Sequence, residues 1–259
     1  MKSPLDLALV ILGLFAVQLF AAEPQNEPPS VEFARFPLPL LHTHVSAVLG
    51  TPAGKAILVS PFPNDFPPHT TVVFEDAREY PAFKKGARYF SPASNIIRVY
   101  RITQIERAPY KTIQNQITVL KRLLKERPKD VPPQSSGKSF PDYPPRNSAH
   151  TFEAKLAYVD AAWGSGVFYL AQFTQEAGDF ANNEKLTYLF QGLSKDGNFY
   201  VSADFRITHP KLPAGIDSKP LHGADNDRAD SVFLTKQSDD SFTPSLRKVR
   251  DWIGTLKLE

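Results

Sequence analysis

The chain has 259 residues, of which 42% are hydrophobic and 22% are charged, so it can bury a sizeable core. It contains no cysteine, which excludes disulfides, thiolate metal sites and lipid attachment through cysteine. The formal net charge of +3 is too small an excess to indicate nucleic-acid binding. A chain of this length can fold on its hydrophobic core without covalent cross-links.

The first 22 residues are typical of a secretory signal peptide. Lys2 supplies a weak positive start, and residues 7–22 are almost wholly apolar. This stretch is short for a membrane span, but its imperfect cleavage site leaves an uncleaved N-terminal anchor as the alternative. We expect a secreted or periplasmic protein with a signal peptide at 1–22, a proline-rich tether at 23–30 and a single domain over 31–259.

Alternating or continuous apolar residues predict three strands in the first half of the chain, at 55–60, 69–75 and 95–103. Residues 61–68 contain four prolines, which remove the donors that a strand ladder needs. This segment is therefore expected to be a loop.

A helix is predicted to begin near Pro109 and to end before Pro128. Its apolar residues recur at steps of three and four and form one stripe, made of Ile113, Ile117, Leu120 and Leu124. Six prolines follow within 128–146. We interpret this segment as a long loop inside one domain, with a linker between two domains as the alternative.

The second half predicts a meander of four antiparallel strands over 151–207. Residues 167–174 are nearly all apolar and are expected to be buried on both faces. Gly164 to Gly166 is predicted to be a turn, and Asp196-Gly197 a hairpin turn between the last two strands.

A final helix is expected after Thr243 as N-cap, with an apolar stripe formed by Leu246, Val249, Ile253 and Leu256. Neither helix is long enough to be stable alone, so each must cover a face of the sheet. The sequence therefore predicts an α+β fold, in which helices pack on both faces of an antiparallel sheet.

Several short motifs between Trp163 and Pro213 resemble a known family. They are Gly164-Ser165-Gly166-Val167, Asn182-Asn183-Glu184, Tyr188-Leu189-Phe190-Gln191-Gly192-Leu193, Asp196-Gly197 and His209-Pro210-Lys211-Leu212-Pro213. They resemble uncharacterised secreted proteins of cyanobacteria and Chloroflexi-like bacteria, and the match is poor over 31–95. This resemblance implies export and no particular activity. The order of elements also resembles the PsbP-type fold, which implies binding or accessory roles more than catalysis.

Two groups of residues were considered as metal sites. His42 and His44 would lie on one side of an extended strand, and zinc would need a third ligand, for which His69 is nearest in sequence. Asp225, Asp227 and Asp230 could hold calcium, although the EF-hand pattern fails at Ala229. A surface histidine pair and a solvated acidic loop are the favoured interpretations, so we predict no metal site and no cofactor.

The sequence contains no nucleophile elbow of the G-x-S-x-G type and no carboxylates spaced as a hydrolase pair. We therefore assign no catalytic residue. A hydrolase site would require convergence in three dimensions, with His150 and His209 as bases and Asp204 or Glu153 as their partners.

A basic helix end and an aromatic run are the other conspicuous features. The basic residues are Lys121, Arg122, Lys125, Arg127 and Lys129. They could contact an anionic surface, but cations also stabilise a helix C-terminus. The aromatic residues are Phe168, Tyr169, Phe173, Tyr188, Phe190, Phe199, Tyr200 and Phe205. They could line an apolar pocket, but we favour a sheet core.

Three functional hypotheses remain. The first is a non-catalytic module of the cell envelope that binds a ligand or a protein partner, with no nucleic acid involved and with membrane contact only through an uncleaved signal segment. The second is a hydrolase-like enzyme with a site assembled only by folding. The third is a purely structural envelope protein tethered by its N-terminus.

Overall fold

Short runs of apolar residues form the strands of this protein. The structure is a computed structural model that describes residues 29–33, 40–48, 67–76, 95–107, 110–129, 140–146, 148–174, 179–222 and 226–259. Its strands are β1 (Val31–Glu32), β2 (Leu40–Val48), β3 (His69–Asp76), β4 (Asn95–Arg101), β5 (Ala149–Asp160), β6 (Gly164–Thr174), β7 (Thr187–Ser194), β8 (Phe199–Arg206) and β9 (Lys257–Leu258). Its α-helices are α1 (Ile102–Arg107), α2 (Lys111–Glu126), α3 (Asp227–Lys236) and α4 (Leu246–Ile253). The predicted α+β class is confirmed.

Seven of these strands form one sheet in the order β2-β3-β4-β8-β7-β6-β5, and every neighbouring pair is antiparallel. The meander predicted over 151–207 is confirmed, because β5 to β8 are adjacent in chain order. Gly197 has a φ of 75° in the turn between β7 and β8, as a tight hairpin requires. β1 and β9 form a separate antiparallel pair.

Each face of the sheet is covered by helices. We call the two sides the α4 face and the α2 face, after the helices that pack on them. On the α4 face, Trp252 of α4 contacts Phe74 of β3 and Phe205 of β8, with ring centroids 5.1 and 6.0 Å apart. On the α2 face, buried residues of α1 and α2 form a second cluster with strand residues that include Tyr169 and Tyr200. The predicted packing of both helices on the sheet is confirmed.

One predicted stripe residue and one predicted strand end are corrected. The buried residues of α2 are Ile113, Ile117, Leu120 and Leu123, whereas Leu124 is only partly buried. The strand expected over 95–103 ends at Arg101, because the chain turns directly into α1. The end of α2 is as predicted, since Arg127 adopts a left-handed conformation just before Pro128.

Gly164 to Gly166 do not form a turn but begin β6. A Cβ atom at Gly164 would lie 2.1 Å from the carbonyl oxygen of Leu193, and one at Gly166 would lie 2.4 Å from the ring of Phe190. These glycines therefore reflect the close approach of neighbouring groups inside the sheet.

Thr243 is not the N-cap of the last helix. Its backbone pairs with Thr208 in an isolated bridge, and α4 is capped by Ser245, whose side chain accepts a hydrogen bond from the Lys248 amide. Tertiary pairing thus moves the helix start by two residues.

Several predicted segments lie outside the described residues. These are the signal peptide at 1–22, the strand at 55–60 and most of the proline-rich loop at 128–146. The predicted tether overlaps the fold at its end, because the backbone of Ser30 bonds with that of Glu259 beside β1 and β9.

Candidate functional site

Residues 140–146 lie over the α2 face and bring charged groups to it. Phe140 packs on Tyr169 of β6 with ring centroids 4.8 Å apart, and Tyr143 packs on Tyr100 of β4 at 5.4 Å. The Tyr169 hydroxyl also donates a 2.9 Å hydrogen bond to the backbone of this segment. These contacts hold the segment and its charged side chains against the sheet.

Asp204 of β8 is shared by two arginines on this face. Its Oδ2 accepts a hydrogen bond from Nη1 of Arg98 on β4 at 3.1 Å, and its Oδ1 accepts one from Nη2 of Arg146 at 2.6 Å. Burial raises the pKa of Asp204, but the two neighbouring arginines outweigh burial and lower it overall. The ionised carboxylate therefore neutralises one of two cationic groups, and the trio keeps one net positive charge.

The charged network continues to His150 of β5, which bridges two carboxylates. Its Nδ1 lies 2.6 Å from Oε1 of Glu153, and its Nε2 lies 3.3 Å from Oδ2 of Asp142. Burial alone would lower the pKa of His150, but its hydrogen bonds to both carboxylates raise it to about 9. His150 is therefore an imidazolium cation at neutral pH, with both ring nitrogens engaged.

Three buried hydroxyls next to Arg98 have no hydrogen-bond partner among the described residues. They belong to Thr71 of β3, Tyr100 of β4 and Ser202 of β8. All three residues are fully buried. Burial raises the pKa of the Tyr100 hydroxyl, and Ser202 lies close enough to lower it slightly, although no hydrogen bond of good geometry joins them. These hydroxyls are neutral groups that can still donate and accept hydrogen bonds.

His69 of β3 closes one side of this group of hydroxyls. Its ring stacks against Tyr100 with centroids 4.6 Å apart, and its Nδ1 lies 2.9 Å from the carbonyl oxygen of Pro67. Burial is the main reason that the pKa of His69 falls to about 4, and the charge of Arg98 lowers it further. His69 is therefore uncharged at neutral pH.

The site cannot be interpreted by analogy. Comparisons of the chain with protein-family models, with curated proteins and with solved structures found no match. No helix in the described parts of the chain is both long and apolar enough to cross a membrane. The chemistry of the α2 face must therefore be argued from its own residues.

The structure does not bring the three candidate zinc ligands His42, His44 and His69 together. The backbone of β2 pairs His44 with Val73, whereas His69 pairs with Val48. His69 thus lies four residues along β3 from Val73, the residue opposite His44. Four residues span about 13 Å at the rise of an antiparallel strand. His42 lies further away, opposite Glu75.

The favoured interpretation of Asp225, Asp227 and Asp230 as a solvated acidic loop is corrected. Asp227 and Asp230 lie at the start of α3, and Asp225 falls outside the described residues. Asp230 is buried, accepts a hydrogen bond from the Ala181 amide at 3.0 Å and contacts His222 at 2.7 Å. It therefore joins α3 to the loop before β7. In the described ranges, no group of three histidine or acidic side chains could hold a metal ion.

The two candidate hydrolase histidines do not converge, although His150 does contact its candidate partner Glu153. His150 packs against Phe173 on the α2 face, whereas His209 packs against Phe242 on the α4 face. Nδ1 of His209 accepts a hydrogen bond from the Lys211 amide, so its Nε2 must donate to the Ser241 hydroxyl. His209 therefore cannot act as a base toward that hydroxyl.

The basic end of α2 has a structural role at Arg127. Its guanidinium forms two hydrogen bonds with the Asp160 carboxylate and lies over the ring of Tyr158. This fixes the helix end to β5. Lys121 and Lys125 are exposed on the outer side of the helix.

The aromatic run belongs to the sheet core. Phe168, Phe190 and Phe205 are fully buried on the α4 face, and Tyr169 and Tyr200 are fully buried on the α2 face. This agrees with the favoured interpretation of a packed sheet.

Arg98, Arg146 and the three hydroxyls were not predicted as site residues from the sequence. A signal did exist, because Arg98 and Ser202 are polar residues with apolar neighbours on both sides in the middle of their strands. Buried polar residues are more informative than buried apolar ones. Their convergence depends on strand order, which a single strand does not reveal.

Proposed function

We propose that this protein is an exported, non-catalytic ligand- or partner-binding module of the cell envelope, with its site on the α2 face. One observation carries the proposal. Arg98 lies next to three buried hydroxyls that have no partner among the described residues. Folded proteins rarely leave such groups unbonded, which favours a ligand that supplies the missing bonds.

The same face supports binding better than hydrolysis. His150 is the histidine closest to the charged network, but both of its ring nitrogens contact carboxylates. A general base needs a free nitrogen and a pKa near the working pH. His150 therefore fits a structural role in the charged network.

Export is supported by the composition of residues 1–22 and by the resemblance to secreted bacterial proteins. Absence of cysteine is compatible with an oxidising compartment, because no thiol is present to be oxidised. The envelope assignment rests on the composition of residues 1–22 and on the resemblance to secreted proteins.

A thermal-shift screen of the purified protein against organic acids, sugars, phosphate and divalent metal ions tests the proposal. A ligand that binds the native state raises the unfolding midpoint in proportion to its saturation. We expect at least one such ligand, with its effect lost in Arg98→Gln and retained in the matched surface variant Arg122→Gln. A screen without any saturable shift would count against a ligand-binding function.

Enzyme assays provide the opposing test. We expect no turnover of ester or peptide substrates above the level of a His150→Gln variant. Turnover that disappears in this variant would overturn the non-catalytic assignment.

A further inference from the structure

We propose that Thr71, Arg98, Tyr100 and Ser202 together bind the carboxylate group of a small, singly charged organic acid. This inference rests on the proposed binding function and specifies its ligand class. Four steps carry it: the register of the strands, the unsatisfied hydroxyls, the local charge and the access from solvent.

The register places these four side chains around one position. Arg98 of β4 pairs with Thr71 of β3 on one side and with Ser202 of β8 on the other. Tyr100 is two residues from Arg98 on the same strand, so it points to the same face. Directly opposed side chains on adjacent strands lie about 5 Å apart, which is close enough to share one small ligand.

Three of the buried hydroxyls without a partner among the described residues surround Arg98, while other buried polar side chains of the same face are bonded. Gln191 of β7 donates to the carbonyl oxygen of Tyr143 at 3.2 Å and accepts from the hydroxyl of Tyr200. Tyr169 donates to a backbone carbonyl. Gln191 and Tyr169 are therefore satisfied, whereas the hydroxyls of Thr71, Tyr100 and Ser202 are available to a ligand.

Local charge favours an anion with a single negative charge. Nη1 of Arg98 donates a hydrogen bond to Asp204, and this is the only side-chain hydrogen bond of Arg98 to a described residue. Arg98, Arg146 and Asp204 carry one net positive charge, while His69 is neutral. A carboxylate matches this charge and the planar guanidinium edge. A phosphate group carries about −1.5 to −2 charges and would leave the site negative.

The next charged groups bring the net charge of the whole network to zero, but they lie beyond Arg146 and do not contact Arg98. His150 lies between Asp142 and Glu153, and its positive charge offsets one of the two carboxylates. The remaining negative charge faces Arg146, whose Nε lies 3.7 Å from Oδ1 of Asp142. The three hydroxyls next to Arg98 therefore lie at the cationic end of the charged network.

Arg98 also connects the site with solvent. Its side chain is 13% exposed, and that of Arg146 is 27% exposed, whereas the three hydroxyls are enclosed. The carboxylate would enter beside Arg98 and accept hydrogen bonds from the hydroxyls. The organic part of the acid would remain on the solvent side, so its size is less restricted than its charge.

The test titrates the full chain with sodium acetate, sodium butyrate and sodium benzoate at constant ionic strength set by sodium chloride. Unfolding midpoints give the apparent Kd through the linkage relation. We expect a saturable rise with at least one carboxylate and a smaller effect of sodium phosphate. Equal saturable shifts with phosphate and the carboxylates would overturn the assignment to a carboxylate.

Variants locate the binding site. Tyr100→Phe and Ser202→Ala each remove one donor to the carboxylate and should weaken the apparent Kd about tenfold or more. Tyr188→Phe is the matched control, because Tyr188 is equally buried on the α4 face and its hydroxyl bonds with Arg250. The control should keep the Kd of the unmodified protein within about twofold.

The outcomes separate this inference from the function on which it rests. A carboxylate that binds Tyr100→Phe and Ser202→Ala as tightly as the unmodified protein would overturn the assigned site. A different ligand with unchanged affinity for both variants would overturn the inference and leave the binding function intact. Absence of any ligand would overturn both.

Discussion

Two buried tyrosines show how the environment of a single hydroxyl affects stability. Tyr100 and Tyr188 are both fully buried in the same sheet, on opposite faces. The Tyr188 hydroxyl accepts a 2.9 Å hydrogen bond from Arg250, whereas the Tyr100 hydroxyl has no partner among the described residues. The two rings therefore bury similar apolar surface, but they differ in the free-energy cost of burying the hydroxyl oxygen.

We expect Tyr100→Phe to leave the free energy of unfolding unchanged or to raise it by about 1 kcal/mol, because it removes an unsatisfied buried group. Tyr188→Phe should lower the free energy of unfolding by about 1–3 kcal/mol, since it leaves Arg250 without this acceptor. Urea denaturation of the ligand-free proteins measures both. Equal losses in the two variants would show that the Tyr100 hydroxyl is satisfied in solution.

His150 makes stability depend on pH. Its folded pKa of about 9 lies above the ordinary value of 6.5, so the folded state binds its proton more tightly than the unfolded state. The stabilisation is complete below about pH 6.5 and is lost as the pH rises through 9, with a total of about 3 kcal/mol. Urea midpoints between pH 6 and pH 9.5 should therefore fall.

The control for this pH dependence is His150→Gln, which should be less stable at pH 6.5 and should lose most of the slope. His69 cannot produce the same slope, because its pKa is lowered to about 4 and its contribution is lost only in acid. A slope that persists in His150→Gln would assign the effect to another group.

At the scale of elements, α3 protects the edge of the sheet at β5. Ser231 donates a hydrogen bond to the carbonyl oxygen of Glu153, and Thr235 accepts one from the Lys155 amide. Lys155 has a φ of 56° and lies at an irregularity in the pairing of β5 with β6. An edge that is bonded to a helix and locally distorted is a poor template for another strand.

The helices on the two faces should contribute to stability mainly through their buried residues. Leu120→Ala and Ile253→Ala should each lower the free energy of unfolding by about 2–5 kcal/mol, because both side chains are fully buried. The matched exposed variants Lys121→Ala and Lys248→Ala should change it by less than about 0.5 kcal/mol. Denaturant titration of the four proteins decides the matter, and equal midpoints would place both helices outside the core.

At the scale of the whole molecule, one sheet separates two hydrophobic cores. Residues of β6, β7 and β8 contribute alternately to both, with Phe190 in one core and Leu189 in the other. Loss of either core would expose one side of the same strands. The two cores are therefore expected to unfold together.

The double variant Leu120→Ala/Ile253→Ala tests this coupling. The two sites lie on opposite faces, so their effects on the free energy of unfolding should add within about 0.5 kcal/mol. Circular dichroism and tryptophan fluorescence should report one shared transition, because Trp252 belongs to the α4 core and α2 is the longest of the described helices. Separate transitions would show that the cores are independent.

The N-terminal segment is also a question for the whole molecule. We expect residues 1–22 to be absent from the exported protein, because their composition is that of a signal peptide. Intact-mass spectrometry of protein purified from the periplasm or medium checks the N-terminus. A mass that includes the segment would favour the tethered alternative.

Local sequence patterns were sufficient to predict the meander of β5 to β8, the hairpin at Gly197 and three of the four residues expected in each apolar stripe of α2 and α4. Each depends on side-chain periodicity or turn chemistry within a few residues. The helix α3 was missed because it packs on the edge of β5 through Ser231, Thr235 and Leu234 and has no long apolar stripe.

Apolar runs that follow one another along the chain were enough to predict the α+β class and the pairing of β5 to β8, because such runs bury their surfaces against one another. The candidate site, in contrast, arises from the tertiary structure alone. Thr71, Arg98 and Ser202 come from three strands far apart in sequence, and Arg146 comes from a segment that crosses the sheet. Their meeting depends on the strand order β3-β4-β8, which creates contacts that no local pattern encodes.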